Sequence, residues 1–117
     1  MFQTNLSHNK TNRANAYLTK EILEASPQKL LLKVYDFAIA NCKAGNMEKT
    51  NKALNELINA LRYDDEKAKE VSIGLLKLYQ FCQEQMRKGE TEIVYQILTD
   101  LRETWETVFR ENLADVK

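Results

Sequence analysis

The 117 residues include one histidine, one proline, three glycines and two cysteines, and each scarcity closes off a class of function. The histidine, His8, sits in a polar N-terminal stretch. A di-metal carboxylate bundle needs Glu-x-x-His pairs projecting inward, and a phosphohistidine relay needs a histidine in mid-helix. Cys42 and Cys82 form no Cys-x-x-Cys pair for zinc or redox work. Both fall inside apolar helical patterns and read as reduced core thiols of a cytosolic protein. Gly45, Gly74 and Gly89 stand alone, so there is no glycine-rich phosphate loop. No apolar run is long enough to span a membrane, and the first residues lack the apolar core of a signal peptide. Lys plus Arg equals Asp plus Glu at 17 each. The signs are interspersed, which argues against nucleic acid as the main partner, since phosphate binding relies on clustered cation. The carboxylates lie at helical spacings laced with Lys and Arg and read as solvated faces. Catalysis, metal and cofactor are therefore not expected.

What is present is helix. Residues 1–13 are polar and read as a disordered tail. Residues 14–25, with Ala16, Tyr17, Ile22 and Leu23, read as an arm or short cap helix, either packed loosely on the fold or acting as a detachable flap over an apolar groove. Residues 26–112 carry four helical patterns, at about 26–43, 46–63, 65–88 and 91–112, and residues 113–117 read as a tail. Ser26 can cap the first helix and Pro27 suits its first position, where the missing N–H would go unused. Its apolar residues form two adjacent rows, Leu30, Val34 and Phe37, then Leu31, Tyr35, Ala38 and Cys42. Ala44-Gly45-Asn46 stops it, with Gly45 able to turn left-handed.

The second helix shows a single stripe of Met47, Leu54, Leu57, Ile58 and Leu61. Asp64 or Asp65 caps the third. Its main face is Ala68, Val71, Leu75, Leu78, Tyr79, Cys82 and Met86, with Ile73, Leu76 and Phe81 off that face and Gly74 inside it. Arg87-Lys88-Gly89 ends it. The fourth carries Val94, Ile97, Leu98, Leu101, Trp105, Val108 and Phe109. Short connections make sequential helices antiparallel neighbours. The expected fold is all-α, an antiparallel up-down-up-down four-helix bundle with an N-terminal arm. Leu30, Val34, Leu75, Leu101 and Trp105 are assigned to its core.

Helices one and three each carry more than one apolar row. Either the extra rows face neighbouring helices, or they form a groove for an apolar or amphipathic segment. Periodicity alone leaves both open. Two further classes stand beside the binding module. One is a helical adaptor whose extra rows make a homodimer. The other is an enzyme or ligand-binding bundle, which would need a buried polar constellation from Tyr35, Asp36, Tyr79 and scattered carboxylates.

Ordered motifs carry a resemblance. The first is Ala16-Tyr17, Ile22, Ala25-Ser26-Pro27, Leu30-Leu31-Leu32-x-Val34-Tyr35-Asp36-x-Ala38-Ile39. It is followed by Lys52-Ala53-x-x-x-Leu57-Ile58-x-x-Leu61, by Lys69-Glu70-Val71 with Leu75, Leu78 and Tyr79, and by Leu98-x-x-Leu101-Arg102-Glu103-x-Trp105. Together they resemble the flagellar secretion chaperones of flagellin, the FliS family. The likeness runs from about Ala16 to Phe109. It departs at Ala68 and Lys69, where the family often has glycine, and at Gly74, where a polar or small residue is usual.

The resemblance implies a cytosolic export chaperone that binds the disordered C-terminal region of flagellin one-to-one. Binding would prevent premature polymerisation and aid delivery to the export apparatus, with export-gate components as further partners. The free protein would be a monomer or weak homodimer. By position, Tyr17 and Ile22 match the arm residues of the signature, for client contact or groove capping. The bundle adds Ile58 and Leu61 on helix two and Ile73, Leu76 and Tyr79 on helix three as candidate contacts.

Overall fold

The computed structural model describes residues 26–116, with side chains placed through Asn112. Four helices fill it, α1 (Pro27–Lys43), α2 (Met47–Asn59), α3 (Glu66–Arg87) and α4 (Thr91–Val116). No strand occurs among the described residues. The expected tail at 113–117 and arm at 14–25 fare differently. The helix α4 runs past Asn112 to Val116, while the arm, with Tyr17 and Ile22, lies outside the described residues, as does the 1–13 segment.

Local chemistry sets the helix ends. Ser26 Oγ accepts from Lys29 N–H at 3.2 Å, Asn46 Oδ1 from Lys49 N–H at 3.0 Å and Asp65 Oδ1 from Ala68 N–H at 2.7 Å. Each satisfies a first-turn amide that has no partner within its helix. At the other ends, Gly45 and Gly89 take φ of 75° and 78°. Asn46 N–H then bonds Asn41 O and Gly45 N–H bonds Cys42 O, and Glu90 N–H and Gly89 N–H repeat the pattern on Gln85 O and Met86 O. Both are Schellman closures, which left-handed glycine permits.

Cross-helix bonds give the directions. Cys42 meets Thr91 and Tyr35 meets Trp105, so α1 and α4 run antiparallel. Cys42 also meets Met86 and Tyr35 meets Tyr79, so α1 and α3 run parallel. Asn51 meets Gln83 and Arg62 meets Ser72, so α2 and α3 run antiparallel. The result is the up-down-up-down bundle.

The core is Tyr35, Ala38, Cys42, Ala53, Leu54, Leu57, Tyr79, Cys82, Met86, Val94 and Leu98. Val34, Leu75, Leu101 and Trp105, assigned to the core, are half-buried and pack against it. Leu30 is not a core residue: it is 48% exposed. On α1 the row through Tyr35 and Cys42 takes the core side, and the adjacent row lies at its margin, with Val34 packed against the core and Phe37 half exposed. Val71 and Met47, expected on core stripes, are also exposed. The helix α2 stops at Asn59 rather than near residue 63. The backbone of Arg62 bonds outside the helix, its N–H donating to Ser72 Oγ while the Ser72 hydroxyl donates to Arg62 O.

Candidate functional site

Two of the anchors between α2 and α3 define a seam. At one end, Gln83 Nε2 donates to Asn51 O at 3.1 Å and to Asn55 Oδ1 at 2.8 Å, while Asn51 Nδ2 donates to Gln83 O at 3.2 Å. At the other end stands the Arg62–Ser72 clamp. Stepping up α2 and down α3 between these anchors sets Ile58 level with Leu76, and Leu61 level with Ile73. On α3, Ile73, Leu76 and Gln83 follow one row at helical spacing, the row that Gln83 turns toward α2. Ile58 and Leu61 are half-buried against the core, Leu76 is half-buried, and Ile73 is 39% exposed. Four of the sequence-derived contact residues therefore share one apolar strip, framed by hydrogen-bonded ends that fix its width.

Tyr79 stands apart from that strip. It is 1% exposed and lies inside the core, with its hydroxyl 2.5 Å from that of Tyr35. Trp105 Nε1–H donates to Tyr35 Oη at 3.0 Å, and the Trp105 ring stacks on Phe109 at 5.6 Å. Tyr79 thus offers a partner no surface; it ties α3 to α1 behind the strip. A buried polar constellation does exist, but its members bond to one another. Burial pushes both tyrosines above their ordinary ionisation range, most of all Tyr35. They are neutral hydrogen-bonding groups at neutral pH, and no base adjoins them. Asp36, the remaining candidate for a polar centre, is on the surface and pairs with Arg102.

The thiols are likewise inert. Burial raises Cys42, and it pushes Cys82 up to about 12, away from the thiolate form that reacts or binds metal. Cys42 Sγ–H donates to Thr91 O at 3.3 Å. Among the described residues no group of three or more His, Cys, Asp or Glu is placed to hold a metal ion, and no helix is long and apolar enough to cross a membrane. An open cavity of about 510 Å³ lies along the start of α3, lined by Glu66, Lys67, Lys69, Glu70 and Ile73. Its mixed, solvated charges make no catalytic pair.

Sequence reasoning placed the strip but missed a second apolar face. Val71 and Phe81 on α3 and Ile93 on α4 are 52%, 42% and 45% exposed. Phe81 gave a signal by falling off the main stripe. Val71 gave none, since it lies on the border of a stripe wide enough to include it.

The family model described as Flagellar protein FliS matches residues 10–112. No curated protein and no solved structure matches the chain.

Proposed function

The chain belongs to the FliS family of flagellar proteins, and on that premise we propose that it is the cytosolic export chaperone of a flagellin, holding the disordered C-terminal region of that subunit. Membership supports a flagellar export chaperone with a protein partner. The finer reading, which partner segment and where, rests on one observation. The strip of Ile58, Leu61, Ile73 and Leu76 leaves apolar surface accessible along the α2–α3 seam, between two rigid hydrogen-bonded ends.

Such a strip suits an apolar segment that gains order as it binds. Ordering a flexible tail costs conformational entropy, and burial of apolar area at about 25 cal/mol per Å² offsets it. Tyr17 and Ile22 join the proposal through the family resemblance alone, as arm residues that contact the client or cap the groove. Holding the tail would keep flagellin from polymerising early, and the complex would then be handed to export-gate components.

The test is titration calorimetry against a peptide of the last ~40 residues of flagellin from the same genome, a length that covers the bundle at helical rise. One-to-one binding with a negative heat-capacity change is expected, weakened by Ile73→Asp. A well-folded protein with no measurable heat would refute the client assignment.

A further inference from the structure

We propose that the end of the bundle beyond the Tyr35–Tyr79 pair, away from the Gly45 and Gly89 turns, is a socket for one large apolar side chain of the flagellin tail, seated among Leu61, Leu75, Leu101 and Trp105. The inference deepens the client reading and rests on it.

Burial changes abruptly along the bundle. Cross-helix bonds set the heights, since Cys42 meets Met86, Tyr35 meets Tyr79, Asn51 meets Gln83 and Arg62 meets Ser72. One layer holds Tyr35, Leu54, Tyr79 and Leu98, each at most 1% exposed. Toward the two glycine turns, Cys42, Ala53, Met86 and Val94 are buried too. The next layer in the other direction holds Leu31, Leu61, Leu75, Leu101 and Trp105. All five pack against the core, and all five stay half-buried.

This layer is not the last turn of every helix. Helix α3 begins at Glu66, about two turns before Leu75, and α4 runs about three turns past Trp105 to Val116. Helix α2 has already ended at Asn59, and α1 starts only about one turn before Leu31. The two longer helices therefore project as a ledge. Ala68, Val71, Val108 and Phe109 lie along it, none of them buried. An apolar stripe on a helix is there to face another element, and α2 does not reach far enough to face this one.

Continuity and chemistry name the occupant. Leu61 belongs to the α2–α3 strip and to the open layer at once. Ile73, its partner across the strip, stands level with Trp105 when α4 is counted from the Gly89 turn. A chain lying in the strip therefore passes the opening. The polar groups at the rim are already engaged. Arg102 is held by Asp36 and Glu106, and Arg62 by Asp64. The Trp105 N–H goes to Tyr35, and Phe109 stacks on its ring. Glu66, Lys67, Lys69, Glu70, Arg110 and Glu111 flank the ledge, all exposed and three of each sign, so they select no charge. A charged or amide side chain would enter without a partner, whereas Leu, Met or Phe gains apolar burial.

Trp105 is the one tryptophan of the chain and lines the socket, so its fluorescence reads the proposal. The full chain is titrated with the flagellin C-terminal peptide, and calorimetry is run on the same mixtures. On binding, Trp105 emission should shift to shorter wavelength and its quenching by acrylamide should fall. Replacing the large apolar residues of the peptide by alanine, one at a time, should find a single position whose loss abolishes the shift. Leu101→Phe fills the socket from within. It should weaken peptide binding by about tenfold or more, as overpacking does, with a melting temperature at or above that of the parent. If that variant does not fold, the peptide series decides alone. Heat of binding with Trp105 emission and quenching unmoved would overturn the socket and leave the client reading standing, with the tail confined to the strip. A shift that survives every alanine replacement would overturn it as well, as would full affinity in a folded Leu101→Phe. No heat at all would overturn both readings together.

Discussion

The hydroxyls of Tyr35 and Tyr79 lie 2.5 Å apart in the centre of the bundle, joining α1 to α3 across 44 residues of sequence. Trp105 on α4 donates its indole N–H to the same Tyr35 oxygen, so one atom ties three helices together. Tyr35 accepts from Trp105, and its own hydroxyl can then donate a hydrogen bond to Tyr79. A fully satisfied polar cluster in a dry core fixes helix rotation in a way that apolar contact alone does not.

Removal of the hub should cost more than removal of either end. Tyr35→Phe leaves both the Trp105 N–H and the Tyr79 hydroxyl without their partner, and a loss of about 1–3 kcal/mol is expected. Tyr79→Phe removes one bond only and should cost about 1 kcal/mol. Trp105→Ala loses the indole bond and the stack on Phe109 together. Since the ring is half-buried, the cost should fall at or below the low end of the 3–5 kcal/mol range for core aromatics. Urea denaturation midpoints at constant slope check the order. Equal losses for the two tyrosine variants would remove Tyr35 from its central position.

Alkaline pH should unfold the protein through its core. Burial raises Tyr35, Tyr79 and both cysteines, so each stays protonated in the native state at a pH where the unfolded chain ionises. Stability from such a group is whole below its unfolded pKa and is lost as pH rises toward the folded value. For Cys82 that window runs from the ordinary thiol value of 9.0 to about 12; the tyrosines add theirs above 10.0. Melting temperature should hold level from pH 7 to about 8.5 and then fall. Cys82→Ala should reduce the early part of the fall, at a fixed cost in stability at every pH. A melt indifferent to pH up to about 11 would mean that these groups ionise freely in the folded chain.

Most of the fold was legible because it rests on local chemistry. Ser26-Pro27 and the paired aspartates announced two helix starts, and Gly45 and Gly89 announced two stops. On α1 two adjacent rows competed: the core assignment fell on Leu30 and Val34, whereas the row through Tyr35, Ala38 and Cys42 is the buried one. What stayed hidden depends on neighbours distant in sequence. Leu30 and Phe37 match the core residues beside them in hydrophobicity, and only the position of the other helices turns them outward. The early end of α2 depends on Ser72, ten residues further on, which draws the Arg62 backbone out of the helix. At the candidate site, Ile58, Leu61, Ile73 and Leu76 were found by row. Tyr79 lay on the main face of α3 that periodicity gave, and it is buried in the core; its hydrogen bond to Tyr35 is what periodicity does not encode.

The three glycines should respond to alanine with opposite signs. Gly74 is helical with open space where a Cβ would go, so Gly74→Ala should stabilise by about 0.5–1 kcal/mol through lower unfolded-state entropy and better helix propensity. Gly45 and Gly89 sit at positive φ, where alanine strains the backbone, and each change should destabilise by about 1 kcal/mol. Thermal denaturation of the three variants checks the signs.

Ser72 links the fold to the strip. Its hydroxyl both accepts from Arg62 N–H and donates to Arg62 O, and the serine is 5% exposed. Ser72→Ala leaves both backbone groups of Arg62 to find other partners at the end of α2, at a cost of about 1–2 kcal/mol. Leu61 and Ile73 are the sequence neighbours of this clamp, one on each strand of it, so its loss should widen the strip at that end without touching the Asn51–Gln83 end. Hydrogen exchange is expected to quicken at Arg62 and Tyr63 while the Asn51 region keeps its protection. If the strip holds the flagellin tail as proposed, peptide affinity should fall at temperatures where the variant is fully folded. Ser72→Thr keeps the hydroxyl and should recover most of the protection. An unchanged exchange rate at Arg62 in Ser72→Ala would show that Asp64 and the turn itself hold that end of the strip.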